Sequence, residues 1–140
     1  MGGVVEKGRR RYDGPSVADR TFRFAVRCVR LIRHLEEQRG RAVSVTSSLE
    51  RQLLRSATSI GANLEEAQAA ESRRDFLHKT SIAQKEARET TYWPRLLRAT
   101  EIIDNERTED LADESHRLLR IISSIAANTA RNSKQSDPRN

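Results

Sequence analysis

The chain has 140 residues, 33% of them charged, with only 6 Gly and 3 Pro, the composition of one domain built from long helices. Lys and Arg outnumber Asp and Glu by 26 to 20, a basic balance that favours acidic or polyanionic partners. No apolar run approaches the roughly 20 residues that span a bilayer, no signal-peptide core opens the chain and the lone Cys28 excludes an internal disulfide, so a cytoplasmic protein without membrane association is expected.

Residues 1–16 read as a flexible basic tail, rich in Gly and Arg and punctuated by Gly14-Pro15. A first helix is predicted over 17–39. Phe22, Val26, Val29 and Ile32 trace one side of it, and Phe24, Cys28, Leu31 and Leu35 the neighbouring side. So wide an apolar face suits a helix packed against two others. Cys28 reads as a small buried apolar residue, and Gly40 is placed to stop the helix. Residues 1–41 hold 11 Lys/Arg against 5 Asp/Glu, so the whole charge surplus lies in the tail and this helix.

The second helix is predicted over 48–70, opened by a capping box at Ser47-Ser48-Leu49-Glu50. Leu49, Leu53, Ala57, Ile60, Leu64 and Ala67 alternate spacings of three and four, the mark of a single seam. Ser72 and Asp75 signal the start of a third helix, predicted over 73–104. Phe76, Thr80, Ala83, Ala87 and Thr90 share one face of it, and Ile82, Glu86, Glu89, Trp93 and Leu96 the adjacent face. Pro94 removes a backbone donor and predicts a bend. Thr108 is placed to cap a fourth helix over 109–130, with Leu111, Ser115, Leu118, Ile122, Ile125 and Thr129 as its seam. Residues 131–140 are polar and read as a disordered tail. Long amphipathic helices on short connections predict an all-α fold, an antiparallel up-down-up-down four-helix bundle over 17–130.

One run in the second helix does not fit a plain core pattern: Ser59-Ile60-Gly61-Ala62-Asn63-Leu64-Glu65-Glu66-Ala67. Gly costs a helix roughly 1 kcal/mol relative to Ala, and an Asn beside an apolar stripe needs a hydrogen-bond partner. Small residues at 57, 61 and 62 admit a second helix at close range. Asn63 and Glu66, one turn apart, are placed to bond across that contact.

The stretch Gln52 to Ala67 resembles the signature of the bacterial four-helix-bundle proteins named after the 23S rRNA intervening sequence, the S23 family. So does the third helix, from Ser72 through Asp75-Phe76, Lys79, Ile82-Ala83, Lys85-Glu86 and Glu89 to Tyr92-Trp93. The resemblance covers roughly residues 20–125, and the accessory protein of diversity-generating retroelements looks like a relative of the same fold. It implies a homo-oligomeric ring, typically a homopentamer. It also implies association with RNA or DNA, as an rRNA-insert product or a reverse-transcriptase partner. It brings no enzymatic activity and no cofactor. The chain departs from the family pattern at Pro94, where Leu is usual.

Two clusters are candidate sites. Arg20, Arg23, Arg27, Arg30 and His34 recur at spacings of three and four on one face of the first helix, with only Asp19 near enough in its first turns to pair, with Arg23. They read as a phosphate-tracking surface reinforced by Arg9, Arg10 and Arg11, contacting backbone rather than bases. The bland alternative is a solvated face, or one that docks acids of a neighbouring subunit or an acidic protein. The second cluster, Asn63, Glu66, Glu86 and Glu89, together with Gly61 and Trp93, reads as packing and assembly surface. A carboxylate-bridged metal in a bundle needs Glu-x-x-His on two helices, and His34, His78 and His116 supply none. Pairing of these acids with Arg51, Arg55, Lys85 or Arg88 is expected instead. Trp93 and Tyr92 read as packing anchors. No Ser-His-Asp set, glycine loop, Cys pair or HExxH motif occurs, so a non-enzymatic binding protein is expected.

Overall fold

The computed structural model describes residues 16–40 and 44–135. The basic residues Arg9, Arg10 and Arg11, nearly all of the expected N-terminal tail, and positions 136–140 lie outside the described residues. Four helices follow one another: α1 (Val17–Arg39), α2 (Val45–Gln68), α3 (Arg73–Ala99) and α4 (Asn105–Gln135). Each packs on two neighbours, α2 and α3 most extensively and α1 and α4 least. Cross-contacts pair the end of each helix with the start of the next, and the start of α1 with the later half of α2. Arg39 meets Glu50, whereas the α-carbon of Gly61 lies beside Thr21. Lys79 meets Glu66, and Arg98 meets Glu109.

The helix ends follow from local chemistry. Ser16 caps α1 by accepting from the Asp19 N–H at 3.1 Å, and Gly40, at φ 76°, ends it as expected. Ser72 accepts from the Asp75 N–H at 3.0 Å to open α3.

Several boundaries differ from the sequence reading. The capping box of α2 is built three residues earlier, from Ser44 and Ser47, which bond each other's backbone N–H groups at 3.1 and 3.3 Å. Glu50, which would have closed the expected box, is instead held by Arg39. α3 stops at Ala99, not at 104, in a Schellman turn: the Glu101 N–H bonds the Arg98 carbonyl and the Ile102 N–H the Leu97 carbonyl, both at 3.0 Å. Glu101 takes the left-handed conformation, φ 58°, that Gly would hold more cheaply. Asp104 then caps α4, its Oδ1 accepting from the Arg107 N–H at 2.9 Å. So α4 begins four residues before the expected start, and it runs past 130 into the segment read as disordered tail. Pro94 sits buried inside α3, which stays helical on both sides of it.

The core has the expected aliphatic character. Phe24, Cys28, Ala57, Ile60, Leu64, Ala83, Ala87, Leu111, Leu118 and Ile122 form the main cluster, and Leu53, Leu97 and Ile103 a second one at the far end, with Trp93 packed against it. Each fully buried Leu, Ile or Phe contributes about 1.5–3 kcal/mol of burial energy. The seams predicted for α2, α3 and α4 are the buried ones. On α1 the buried face cuts across the two predicted apolar sides. Phe24, Cys28 and Ile32 face the core, while Phe22 (69% exposed) and Val29 (38%) face outward. Among the described residues α1 packs on α2 and α4, as expected, and Phe22 and Val29 fall on the face that neither covers.

Candidate nucleic-acid interface

The basic stripe of α1 runs along the seam with α4. At its start Arg20 is half-buried and bonds Glu114 of α4, Nη2 to Oε1 at 3.2 Å. One turn on, Arg23 is exposed. Arg27 and Arg30 are also exposed, and His34 is half-buried. Among the described residues Arg23, Arg27 and Arg30 enter no ion pair.

Arg27, Arg30 and His34 line a groove of about 340 Å³ between α1 and α4. Leu31 and Leu111 line it too, and α4 adds Arg107 and Asp110. Three guanidinium groups therefore surround one space with a single carboxylate among them. Arg107 stays close to Asp104 of its own chain segment, at 3.6 Å, with both side chains more than half exposed.

Sequence reasoning missed the α4 half of this groove. The signal was present as the flank of the α4 seam. Arg107, Asp110, Glu114 and Arg117 repeat at three-four spacing one position before the residues that bury. The net balance of the segment hid it, because its acids and bases cancel in a count while pointing to different depths of the seam.

The acidic cluster is held by cations, as the pairing argument anticipated. Arg55 of α2 reaches across to Glu86 of α3 at 3.2 Å and also bonds Glu89. Those carboxylates, Glu89 first, raise the Arg55 pKa above its ordinary value. The Trp93 indole N–H donates to the same Glu89 oxygen at 3.2 Å. Tyr92, half exposed, lies edge-on to Trp93 with ring centres 5.1 Å apart. Glu66 is joined to Lys79 at 2.6 Å, a partner outside the expected set, and this contact raises the lysine pKa.

Asn63 does not bond across the α2–α3 contact. Its Nδ2 donates to the Ser59 carbonyl of its own helix at 2.8 Å, so within one subunit its polar need is met locally. Gly61 lies against Thr21 of α1, but a Cβ there would stand 3.5 Å from the Thr21 hydroxyl, ordinary contact distance. The described residues hold no group of three His, Cys, Asp or Glu placed to share a metal ion, and no helix long and apolar enough to cross a membrane.

A helical bundle with an aliphatic core, a Glu-Arg-Glu clasp between its middle helices and a cationic seam beside its first helix is the class that fold and site define. Within that class the chain belongs to the 23S rRNA-intervening sequence protein family, whose profile matches residues 16–124. It is similar, at 42% identity and a TM-score of 0.71, to a crystallised protein of unknown function from the S23 ribosomal protein family of Bacteroides thetaiotaomicron; the match covers 79% of this chain and 98% of that one. No curated protein matches the chain.

Proposed function

We propose that this chain is a non-enzymatic, homo-oligomeric bundle of the bacterial cytoplasm that binds nucleic-acid phosphates through α1. Its setting would be either an rRNA insert or a reverse transcriptase that it assists. The observation that carries the reading is the trio Arg23, Arg27 and Arg30, exposed and unpaired among the described residues, with Arg107 of α4 beside it. Unneutralised guanidinium groups along one seam attract a polyanion, and each phosphate they neutralise releases counterions. The helix offers no aromatic interleaving, so contacts go to the backbone of the nucleic acid. Arg9, Arg10 and Arg11 precede the same helix in the sequence and add to its positive charge.

Self-assembly is supported by the bare apolar stripe of Phe22 and Val29 on α1, next to the arginines. The family resemblance favours a pentamer, with Asn63 as a candidate contact; of the other residues read as packing or assembly surface, Gly61, Glu66, Glu86, Glu89 and Trp93 make contacts within the chain. That stripe also favours a second reading, in which α1 docks an acidic partner protein through mixed apolar and cationic contacts.

A salt series separates the two. Binding to structured RNA and to duplex DNA is measured for the wild type and for Arg23→Gln/Arg27→Gln/Arg30→Gln. Phosphate binding gives a log-log line whose slope becomes shallower by roughly two to three in the triple variant. No binding at about 50 mM salt, where such contacts are strong, would overturn the nucleic-acid reading in favour of protein docking. Light scattering of the same samples gives the subunit number.

A further inference from the structure

The groove between α1 and α4 has features that phosphate tracking does not require. Tracking a backbone needs exposed cations on a ridge. Here Arg27, Arg30 and Arg107, all exposed, border a recess that Leu31 and Leu111 also line. Like charges facing one another across a helix seam repel. The same seam shows the ordinary solution a few turns away, where Arg20 of α1 meets Glu114 of α4. At the groove no ion pair joins the two helices among the described residues. Arg27 and Arg30 have no carboxylate partner among the described residues, and Arg107 has only the exposed Asp104 at 3.6 Å, so the groove can take an anion from outside.

The mixed lining says what that anion carries. Phosphate alone gains nothing from Leu31 and Leu111, while a duplex is too broad to enter a recess of about 340 Å³. That volume lies at the lower end of small-ligand sites, about 300–1,000 Å³. A flat, weakly polar ring bearing a phosphate satisfies both halves of the lining: the ring against the leucines and the His34 imidazole, the phosphate on the guanidinium groups. Asp110 accepts from an N–H on the ring edge. This is the chemistry of one nucleotide whose base is free of a pairing partner.

We propose that the α1–α4 groove is a single-strand subsite that seats one unpaired nucleotide, its phosphate on Arg27, Arg30 and Arg107 and its base against Leu31 and Leu111. The proposal rests on the nucleic-acid reading above and narrows it to single-stranded or looped substrates. Arg23 lies outside the groove and Arg107 outside the α1 stripe, so the two residues report on different contacts.

The full chain is titrated with AMP, GMP and inorganic phosphate, and with a short single strand and the duplex of the same length. Wild type is compared with Arg107→Gln and Arg23→Gln, with circular dichroism confirming the helices of each variant. Mononucleotides should bind at least tenfold more tightly than phosphate, and the single strand more tightly than the duplex. Arg107→Gln should weaken mononucleotide binding about tenfold and Arg23→Gln less than twofold. Equal affinity for phosphate and mononucleotide, or equal losses in the two variants, would overturn the subsite. Binding of duplex without any mononucleotide binding would also overturn it while leaving phosphate tracking intact. Failure of every nucleic-acid probe would remove both readings together.

Discussion

Arg39 and Glu50 meet as a two-pronged ion pair, Nη1 to Oε1 and Nη2 to Oε2 both at 2.8 Å, with the Glu50 side chain only 1% exposed. The pair ties the end of α1 to the first turns of α2, on either side of the 41–43 segment. The contact with Glu50 raises the Arg39 pKa, so the guanidinium stays charged throughout the working range. Removing one member of such a pair strands the other, which is worse than removing both. Glu50→Ala should lower Tm by about 5–10 °C, and Arg39→Ala should add little to that loss in the double variant. A thermal-melt double-mutant cycle measures the coupling, and strictly additive losses would show that the two side chains do not act as a pair.

Gly61 tests whether the close approach of α1 and α2 demands a glycine. A Cβ would stand 3.5 Å from the Thr21 Oγ1 and 3.8 Å from its Cβ, contact without overlap. Ala also suits a helix interior better than Gly by about 0.5–1 kcal/mol. Gly61→Ala should therefore raise the stability of the single subunit by about that amount in urea melts. A loss instead would mean that α1 and α2 lie closer in the working assembly than in the isolated chain.

Glu101 holds a left-handed backbone, φ 58°, at the turn that ends α3. That conformation costs a residue with a Cβ about 1–2 kcal/mol and costs Gly almost nothing. The side chain is exposed, so nothing packed is lost on removing it. Glu101→Gly should stabilise the bundle by about 1 kcal/mol, seen as a higher denaturant midpoint with an unchanged slope. An unchanged midpoint would indicate that the gain is offset by the added freedom of the unfolded chain.

Cys28 lies in the main core beside Phe24, and burial pushes its thiol up to about 12, the neighbouring Arg27 opposing this more weakly. The unfolded thiol ionises near 9. Between those values the folded chain keeps a proton that the unfolded chain gives up, so alkalinity favours unfolding. The contribution is intact below pH 9 and is lost as pH rises towards 12. A thiol reagent should leave the native protein unlabelled at pH 8 and label it in denaturant. The stability of wild type should also fall more steeply above pH 9 than that of Cys28→Ala. Parallel pH curves for the two proteins would rule out ionisation of Cys28 as the cause.

The repeating seams were legible in the sequence, as were the stop at Gly40 and the cap at Ser72; the end of α3 and the starts of α2 and α4 were not. The α2 seam from Leu53 to Ala67 declares itself through a period that only a helix with one buried side produces. The stop after Ala99 carries no such mark, because Glu101 fills the position where Gly would have announced it. The cap of α4 was misassigned for a related reason: Asp104 and Thr108 both qualify as capping residues, and only the turn before them decides between the two. On α1, periodicity named two apolar sides but not where the buried face would run between them, since that depends on where α2 and α4 sit. The Arg27–Arg30 half of the groove was legible as a stripe, and its Arg107 half was not, because a groove exists only once two helices are set side by side.

Asn63 separates packing within a subunit from packing between subunits. Its side-chain amide is half-buried and donates to the Ser59 carbonyl one turn back, while the neighbouring Glu66 is taken by Lys79 of α3. The α2–α3 contact of one subunit therefore does not use Asn63. In the proposed assembly the amide oxygen and the second amide hydrogen are left for a partner subunit. Asn63→Leu should leave helicity unchanged, because Leu is a better helix former than Asn and the lost bond was local. At a subunit contact the same change would bury an apolar branch where a hydrogen bond had fixed register, and such polar positions set partner number more than stability. Light scattering should then show an altered or mixed oligomer at an unchanged circular dichroism signal. An unaltered oligomer would remove Asn63 from the proposed assembly surface and leave the outward Phe22 and Val29 of α1 as the face to test next.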